Sequence, residues 1–314
     1  MRIFITGGTG FFGRALLRYW TEGDNQNYPE VACILTRNPH KFLVEYPEFN
    51  NISWLSFHSG DICYPQTFPK NDRYTHILHA ATDSTVGLQL SPLERYHQIA
   101  EGTKNLLEYA SMNEIQRFLL TSSGGIYGPQ PDDMEKIPET YSGELSTLNA
   151  QNAYSMGKRT AEHLCALYRD RYGIDYIVAR CFAFIGRDLP LNAHFAIGNF
   201  IRDALHRSEI NIHGDGSTVR SYMDQRDLAC WLLTTLRQGI PGQAYNVGSD
   251  DALTIEQLAH LVRDVLSPNK PVIIKSSKNE EGLRHRYVPS IDKAKIELGL
   301  GLSYTLKDSI RAAV

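Results

Sequence analysis

The sequence predicts an α/β protein: a doubly wound parallel sheet, with a smaller lobe drawn mainly from the C-terminal half. Two observations carry this. Short apolar, strand-like runs alternate with helical stretches through the first 180 residues, and the first strand ends in glycines spaced three apart. Strands separated by helices imply a parallel sheet covered on both faces.

The chain opens on that first strand, Arg2 to Thr6 (RIFIT). Gly7, Gly10 and Gly13 follow, and then Arg14 to Trp20 (RALLRYW) at helical period. Strand, glycine turn and helix together set a pyrophosphate on a helix N-terminus. Glycine lets the backbone approach the phosphates because no Cβ intervenes. A glycine triplet alone says little; the strand before it and the helix after it predict a dinucleotide site of Rossmann type.

Further strands are expected at Val31–Leu35, Ile52–Phe57, His76–His79, Phe118–Thr121 and Tyr176–Arg180, with helices over 93–112 and 151–172. The polar stretch 23–30 reads as a surface loop, and 129–150, with three prolines, as a mobile one. After residue 181 the elements shorten and the alternation weakens. This assigns 1–180 to the dinucleotide-binding domain and 181–314 mainly to a substrate-binding lobe, with a return to the main sheet near 244–247 (AYNV).

Composition narrows the function classes. A net charge of −3 gives no reason to expect nucleic acid or an anionic membrane as a partner. No apolar run approaches the ~20 residues of a membrane span, and no leader is expected before the first strand. The five cysteines (33, 63, 165, 181, 230) are scattered and read as buried thiols in a reducing cytoplasm. No metal spacing is present: His76 and His79, three apart in one strand, fall on opposite faces.

Candidate catalytic groups come from two segments. Tyr154 and Lys158 stand at i and i+4 in a helical pattern and share a face. A tyrosine exchanges protons near neutral pH only if its pKa of ~10 is lowered, and a nearby ammonium does that. Ser123, in Thr121-Ser122-Ser123-Gly124-Gly125, follows a strand whose carboxyl end lies where ligands bind in open α/β sheets. Each signal is modest alone. Their order on one strand–helix pattern gives them weight.

At this point the chain resembles the extended short-chain dehydrogenases/reductases, in particular the nucleotide-sugar epimerases, dehydratases and reductases. TGGTGFFG matches their glycine motif, Gly60-Asp61-Ile62 their adenine-contacting motif, and His79-Ala80-Ala81 the segment lining the cofactor. Gly102-Thr103-Lys104-Asn105 fits the central helix, SSGGIYG and YSMGK the serine and tyrosine–lysine motifs. Gly214 to Arg220 (GDGSTVR) resembles the segment whose arginine grips a sugar nucleotide's pyrophosphate. Tyr245-Asn246-Val247-Gly248 and Lys293-Ala294 with Glu297-Leu298-Gly299 also fit.

The resemblance implies a catalytic set of Ser123, Tyr154 and Lys158. It implies cofactor contacts from Gly7, Gly10, Phe11, Phe12, Gly13, Arg37, Asp61, Ile62, Ala80, Ala81 and Thr82, with Tyr154 and Lys158. Substrate contacts fall to Ser123, Asn199, Arg220 and Arg286. It also implies a homodimer packed through the helices at 93–112 and 151–172. The cofactor is NADP or NAD. The second strand ends Leu35-Thr36-Arg37 without the carboxylate that binds the ribose hydroxyls of NAD, and this favours NADP.

Three departures matter. Dehydratases of this group carry Asp-Glu after the position of Ser123, and decarboxylating relatives keep a glutamate there; here Gly124-Gly125 stand instead. Ile99 replaces the usual asparagine three residues before Gly102-Thr103, and Ala183 replaces a substrate-contacting asparagine. What remains is a nucleotide-linked sugar epimerase working through a keto intermediate, or a reductase of a 4-keto-(6-deoxy)sugar. A non-catalytic dinucleotide-binding redox sensor is a remote third, since such proteins tend to lose the tyrosine or lysine retained here.

Overall fold

The computed structural model describes residues 1–23, 28–70, 73–82, 90–193, 195–275 and 285–314, so part of the expected loop at 23–30 lies outside the described residues. Two compact units emerge. The first comprises Met1–Ile126, Leu145–Arg180 and Ala229–Tyr245; the second comprises Tyr127–Glu144, Cys181–Leu228 and Asn246–Val314.

The chain runs β1 (Arg2–Thr6), α1 (Phe11–Thr21), β2 (Val31–Thr36), α2 (Pro39–Glu45), β3 (Leu55–Ser59), β4 (His76–His79), α3 (Pro92–Met112), β5 (Arg117–Ser123), α4 (Ala153–Tyr172) and β6 (Tyr176–Cys181). It continues with β7 (Phe184–Ile185), α5 (Ala196–His206), β8 (Ile210–Ile212), β9 (Val219–Arg220), β10 (Met223–Asp224), α6 (Gln225–Gln238), β11 (Ala244–Val247) and β12 (Leu253–Thr254). The last elements are α7 (Ile255–Leu266), β13 (Val272–Ile274), β14 (Arg286–Tyr287), α8 (Asp292–Leu298) and α9 (Leu306–Ala312).

The main sheet has seven strands in the order β11-β6-β5-β4-β1-β2-β3. The pairs β1–β2, β1–β4, β2–β3 and β4–β5 are all parallel. The expected return of residues 244–247 is β11, beside β6. The order reverses between β1 and β4, and at that switch point the loops after two neighbouring strands diverge to leave a crevice. The loops in question hold the glycine turn and Ala80–Thr82.

Local sequence explains the helices that matter most. α3 starts at Pro92 under a capping box, in which Ser91 and Glu94 satisfy each other's backbone N–H groups. α4 stops at Gly173, whose φ of 71° is the left-handed cap that glycine adopts without strain. The two helices pack along each other: Tyr96 Oη lies 3.2 Å from Thr160 Oγ1, and a methyl added to Gly157 would come within 3.2 Å of Ile99. The core below them is apolar, with Phe4, Ile77, Leu106, Leu107, Phe118 and Leu120 fully buried.

The second unit has short strands around its own core of Ile197, Ile201, Ile210, Leu258 and Val262. β9 lies between β12 and β14 in a three-stranded sheet. Of the segment expected as a mobile loop, the part up to Glu144 belongs to this unit, where it has no long element but is pinned. Ile137 is fully buried, its N–H donates to the Val288 carbonyl at 2.9 Å, and its carbonyl accepts from Asn246 Nδ2 at 2.8 Å. Of the cysteines, 33, 165 and 181 are buried as expected, whereas 63 and 230 are only half-buried.

The glycine turn is the tightest backbone crossing. A methyl on Gly13 would lie 2.1 Å from the Gly8 carbonyl, whereas one on Gly10 would meet only the Gly7 oxygen at 3.4 Å. Gly13→Ala should therefore lower the melting temperature of the unliganded protein by several degrees, the overpacking costing on the order of 2 kcal/mol, while Gly10→Ala leaves it unchanged. Scanning fluorimetry on both variants checks this; wild-type melting of Gly13→Ala contradicts it.

Candidate active site

The glycine turn leaves a cradle. Gly7 has a φ of 74° and sits so close to β4 that a methyl there would fall 2.4 Å from the Ala80 carbonyl carbon. Gly10 caps α1 without a side-chain bond, and the first turn of α1 holds no acidic residue. The first turn of α1 therefore sets no carboxylate of its own against the positive end of the helix dipole, and Gly10 keeps the space beside it open. These features fit a dinucleotide pyrophosphate, with Gly10, Phe11, Phe12 and Gly13 as the residues that would hold it.

At the edge of this region, Arg37 is exposed just beyond β2. Its charge reaches Cys63, next to Asp61-Ile62. There it opposes the burial and the Asp61 carboxylate that push the thiol up to about 11. Asp61 accepts the Cys63 N–H at 2.9 Å, and the Ile62 carbonyl accepts from Asn105 Nδ2 of α3 at 2.9 Å. Ile62 is buried against Gly102, where any methyl would come within 2.4 Å of it.

The catalytic candidates converge within the first unit. Lys158 is 3% exposed, and its ammonium donates to Thr82 Oγ1 and to the Thr121 carbonyl, both at 2.7 Å. Ser123 is buried at the end of β5, and its Oγ accepts the Gly125 N–H at 3.0 Å. A methyl on Gly125 would sit 2.9 Å from Ser155 Oγ, 3.1 Å from Ser123 Oγ and 3.8 Å from the Tyr154 ring. Gly125 therefore packs too closely against Ser155 and Ser123 to admit a side chain, and Ser123 Oγ and the Tyr154 ring converge on one point beside it. Ile99, at the usual asparagine position, is buried against Gly157 of the YSMGK motif.

A polar network missed in the sequence lies beneath. Thr103 Oγ1 donates to the Ile99 carbonyl at 2.8 Å, so at 3.1 Å from His79 Nε2 it acts as acceptor. His79 Nε2 then carries the proton, and Nδ1 accepts from Thr6 Oγ1 at 2.7 Å. Thr121 Oγ1 donates to the His79 carbonyl at 3.0 Å. Complete burial and, secondarily, the Lys158 charge push His79 down to about 3. In the sequence this histidine stands in the His79-Ala80-Ala81 segment and is weighed as a metal ligand, but nothing there signals its hydroxyl partners.

The substrate candidates lie in the second unit. Arg220 is the last residue of β9, and Arg286 the first of β14. These strands are parallel, with Arg220 opposite Tyr287 and Arg286 opposite Val219. Residues in register share a face, so the two arginines occupy adjacent strands but opposite faces. Tyr287 in turn lies against Phe182, with ring centroids 4.6 Å apart. Arg220 Nη1 donates to the Val219 carbonyl at 2.8 Å, Arg286 Nη1 to that of Glu135 at 3.4 Å. Asn199 of α5 accepts from Arg202 at 3.0 Å.

Comparison with known proteins adds the decisive observation: the NAD dependent epimerase/dehydratase family matches residues 3–248. The chain belongs to that family. It is 27% identical over 311 residues to UDP-glucuronic acid decarboxylase 1 of Arabidopsis thaliana, covering 99% of this chain and 68% of that one. It spans about two thirds of the length of decarboxylases 1, 2 and 4 of that plant. Among solved structures, UDP-glucose 4-epimerase of Thermotoga maritima with UDP-glucose superposes with a TM-score of 0.84 at 21% identity, covering 100% and 97% of the two chains. RMD of Pseudomonas aeruginosa with NADPH gives 0.81 at 23%, covering 99% and 97%. These likenesses establish the Rossmann-type α/β fold. Among the described residues no helix is long and apolar enough to cross a membrane, and no cluster of three metal-ligating side chains occurs.

The neutral His79 makes acid a specific stress. Unfolded, its imidazole takes a proton near pH 6.5; folded, it resists until about 3. Stability from this group is complete above pH 6.5 and is lost progressively as pH falls towards 3. His76, lowered to about 4 mainly by burial, adds to the loss. Between pH 6.5 and 5, above the carboxylate range, His79→Gln should lose stability less steeply than the wild type. Denaturant midpoints across that window check this, and parallel slopes contradict it.

Proposed function

We propose that this family member is an NAD(P)-dependent enzyme that inverts a carbon of a nucleotide-linked hexose through a keto intermediate. The observation that carries the proposal is the convergence of Ser123 Oγ and the Tyr154 ring on one point beside Gly125, with Lys158 anchored in the same unit. Tyr154 takes the proton from the sugar hydroxyl and later returns it. Lys158 supplies the positive charge that favours the phenolate. Ser123 holds the hydroxyl and steadies the negative charge that develops on its oxygen. The bound nicotinamide supplies hydride exchange at the same carbon. Arg220 binds the nucleotide diphosphate, for which a guanidinium offers two-pronged hydrogen bonds; Arg286, on the other face of the strand pair, is given no part in that contact. A homodimer through α3 and α4 is part of this reading.

The plant relatives are named as decarboxylases. Gly124 and Gly125 speak against decarboxylation here, as they do against water elimination, because neither has a side chain to donate or accept a proton. A second reading, NADPH-dependent reduction of a nucleotide-linked 4-keto-(6-deoxy)sugar, is favoured by Arg37 beyond a strand end without a carboxylate. It predicts tighter binding of NADP than of NAD, reversed or levelled in Arg37→Ala; fluorescence titration of both cofactors decides, and tighter NAD binding by the wild type contradicts it.

The proposal is tested by incubating the protein with UDP-, dTDP-, GDP- and CDP-hexoses and separating the products chromatographically, because inversion leaves the mass unchanged. One of these should epimerise without loss of water or carbon dioxide. Tyr154→Phe should bind cofactor normally yet turn over ~100-fold more slowly or worse. A Tyr154→Phe protein of near-normal turnover would falsify the assignment.

A further inference from the structure

Three side chains of α4 reach back to the strand end that carries Ser123. Lys158 donates to the Thr121 carbonyl at 2.7 Å. Glu162 Oε1 accepts the Ser122 hydroxyl at 2.5 Å. Arg159 Nε donates to the Ile126 carbonyl at 2.9 Å. Between the last two ties lies the turn of Ser123, Gly124 and Gly125, so the helix bearing Tyr154 grips that turn on both sides. Tyr154, Lys158 and Glu162 follow at four-residue steps and share one helical face.

Glu162 is itself oriented. Arg180 of β6 donates Nε to Glu162 Oε1 at 3.2 Å and Nη2 to Oε2 at 2.8 Å, the two-pronged geometry that fixes a carboxylate plane. Both side chains are 15% exposed. With Arg159, His163 and Gln243 they line an open cavity of about 310 Å³. Water on that side relieves the pair of the full desolvation cost of a buried ion pair, and leaves the carboxylate as a strong acceptor for Ser122.

We infer that Glu162, held by Arg180, is a positioning residue that sets Ser123 against Tyr154 through the Ser122 hydroxyl; this rests on the role proposed for Ser123. Adjacent residues of a strand point to opposite faces. Locking the Ser122 side chain to α4 therefore fixes the direction of the Ser123 side chain beside Gly125. An ion pair serving only to hold α4 on the sheet would not depend on the Ser122 hydroxyl.

The test compares Ser122→Ala and Glu162→Gln with the wild type, alone and on a Ser123→Ala background. Glutamine keeps the shape but turns an NH2 group towards the donors of Arg180 or Ser122. Each single variant should lower kcat roughly tenfold, as for a small misplacement of a reacting group, with KM and cofactor affinity changed less than twofold. Ser122→Thr, which keeps the hydroxyl, should restore kcat. On the Ser123→Ala background, Ser122→Ala should cost nothing further. Independently of any substrate, amide hydrogen exchange over 122–126 should quicken in both single variants. Full kcat and unaltered exchange in both, beside an impaired Ser123→Ala, overturns the positioning role alone. Wild-type turnover by Ser123→Ala overturns the reading of Ser123 and the positioning role with it. Should Ser122→Ala fail to fold, Glu162→Gln is judged by the same readouts.

Discussion

The first unit is organised around one buried cation. Lys158 has almost no contact with bulk water, so its ammonium must find acceptors in the protein or cost several kcal/mol. It finds Thr82 beyond β4 and the Thr121 carbonyl in β5, the strands on the β5 side of the switch point. Satisfying that one group ties α4 to two strand ends. It also sets conditions on its neighbours. His79, fully buried nearby, stays neutral and takes up hydroxyl partners on both ring nitrogens. Thr121 gives its carbonyl to Lys158 and its hydroxyl to the His79 carbonyl. The glycine turn is reached through Thr6, so that turn and α4 belong to one hydrogen-bonded network.

This frame explains how the departures from the family pattern are tolerated. Ile99 does not disturb the helix pair, because Gly157 opposite leaves room for its branched side chain. At Gly125, where the family pattern has an acid, a side chain would collide with Ser155 and Ser123, and the glycine lets these residues and Tyr154 pack close together. The family likeness is therefore strong in the glycine turn and the tyrosine–lysine helix, the parts proposed to hold cofactor and move a proton. It is weak in the part that chooses the bond to break, which is why overall similarity to decarboxylases does not decide the reaction.

Much of the first unit was legible in the sequence, since its strands are apolar runs and its glycines stand at spacings with one physical use. Boundaries were less so. The third strand starts at Leu55 rather than Ile52, because Asn51 takes a positive φ of 59° and the chain turns before it extends. The first helix starts at Phe11, three residues before its periodic pattern, since glycine at the cap lets it begin inside the motif. Glu162 was within reach of the same spacing argument that paired Tyr154 with Lys158. The second unit was hardly legible: strands of two or three residues are too short for a period to register. Arg220 and Arg286 came from resemblance, and only strand register reveals that they stand on opposite faces.

The most direct test of the account follows the hydrogen on the sugar. A nucleotide-linked hexose deuterated at its ring carbons is incubated with the protein in ordinary water, and the inverted product is isolated and analysed by NMR. Removal of hydride and its return to the same carbon, with only the hydroxyl proton passing through Tyr154, predicts that deuterium stays on the inverted carbon. Inversion with deuterium replaced by solvent hydrogen would mean that a carbon-bound proton was abstracted, and would contradict the mechanism assigned to Ser123, Tyr154 and Lys158.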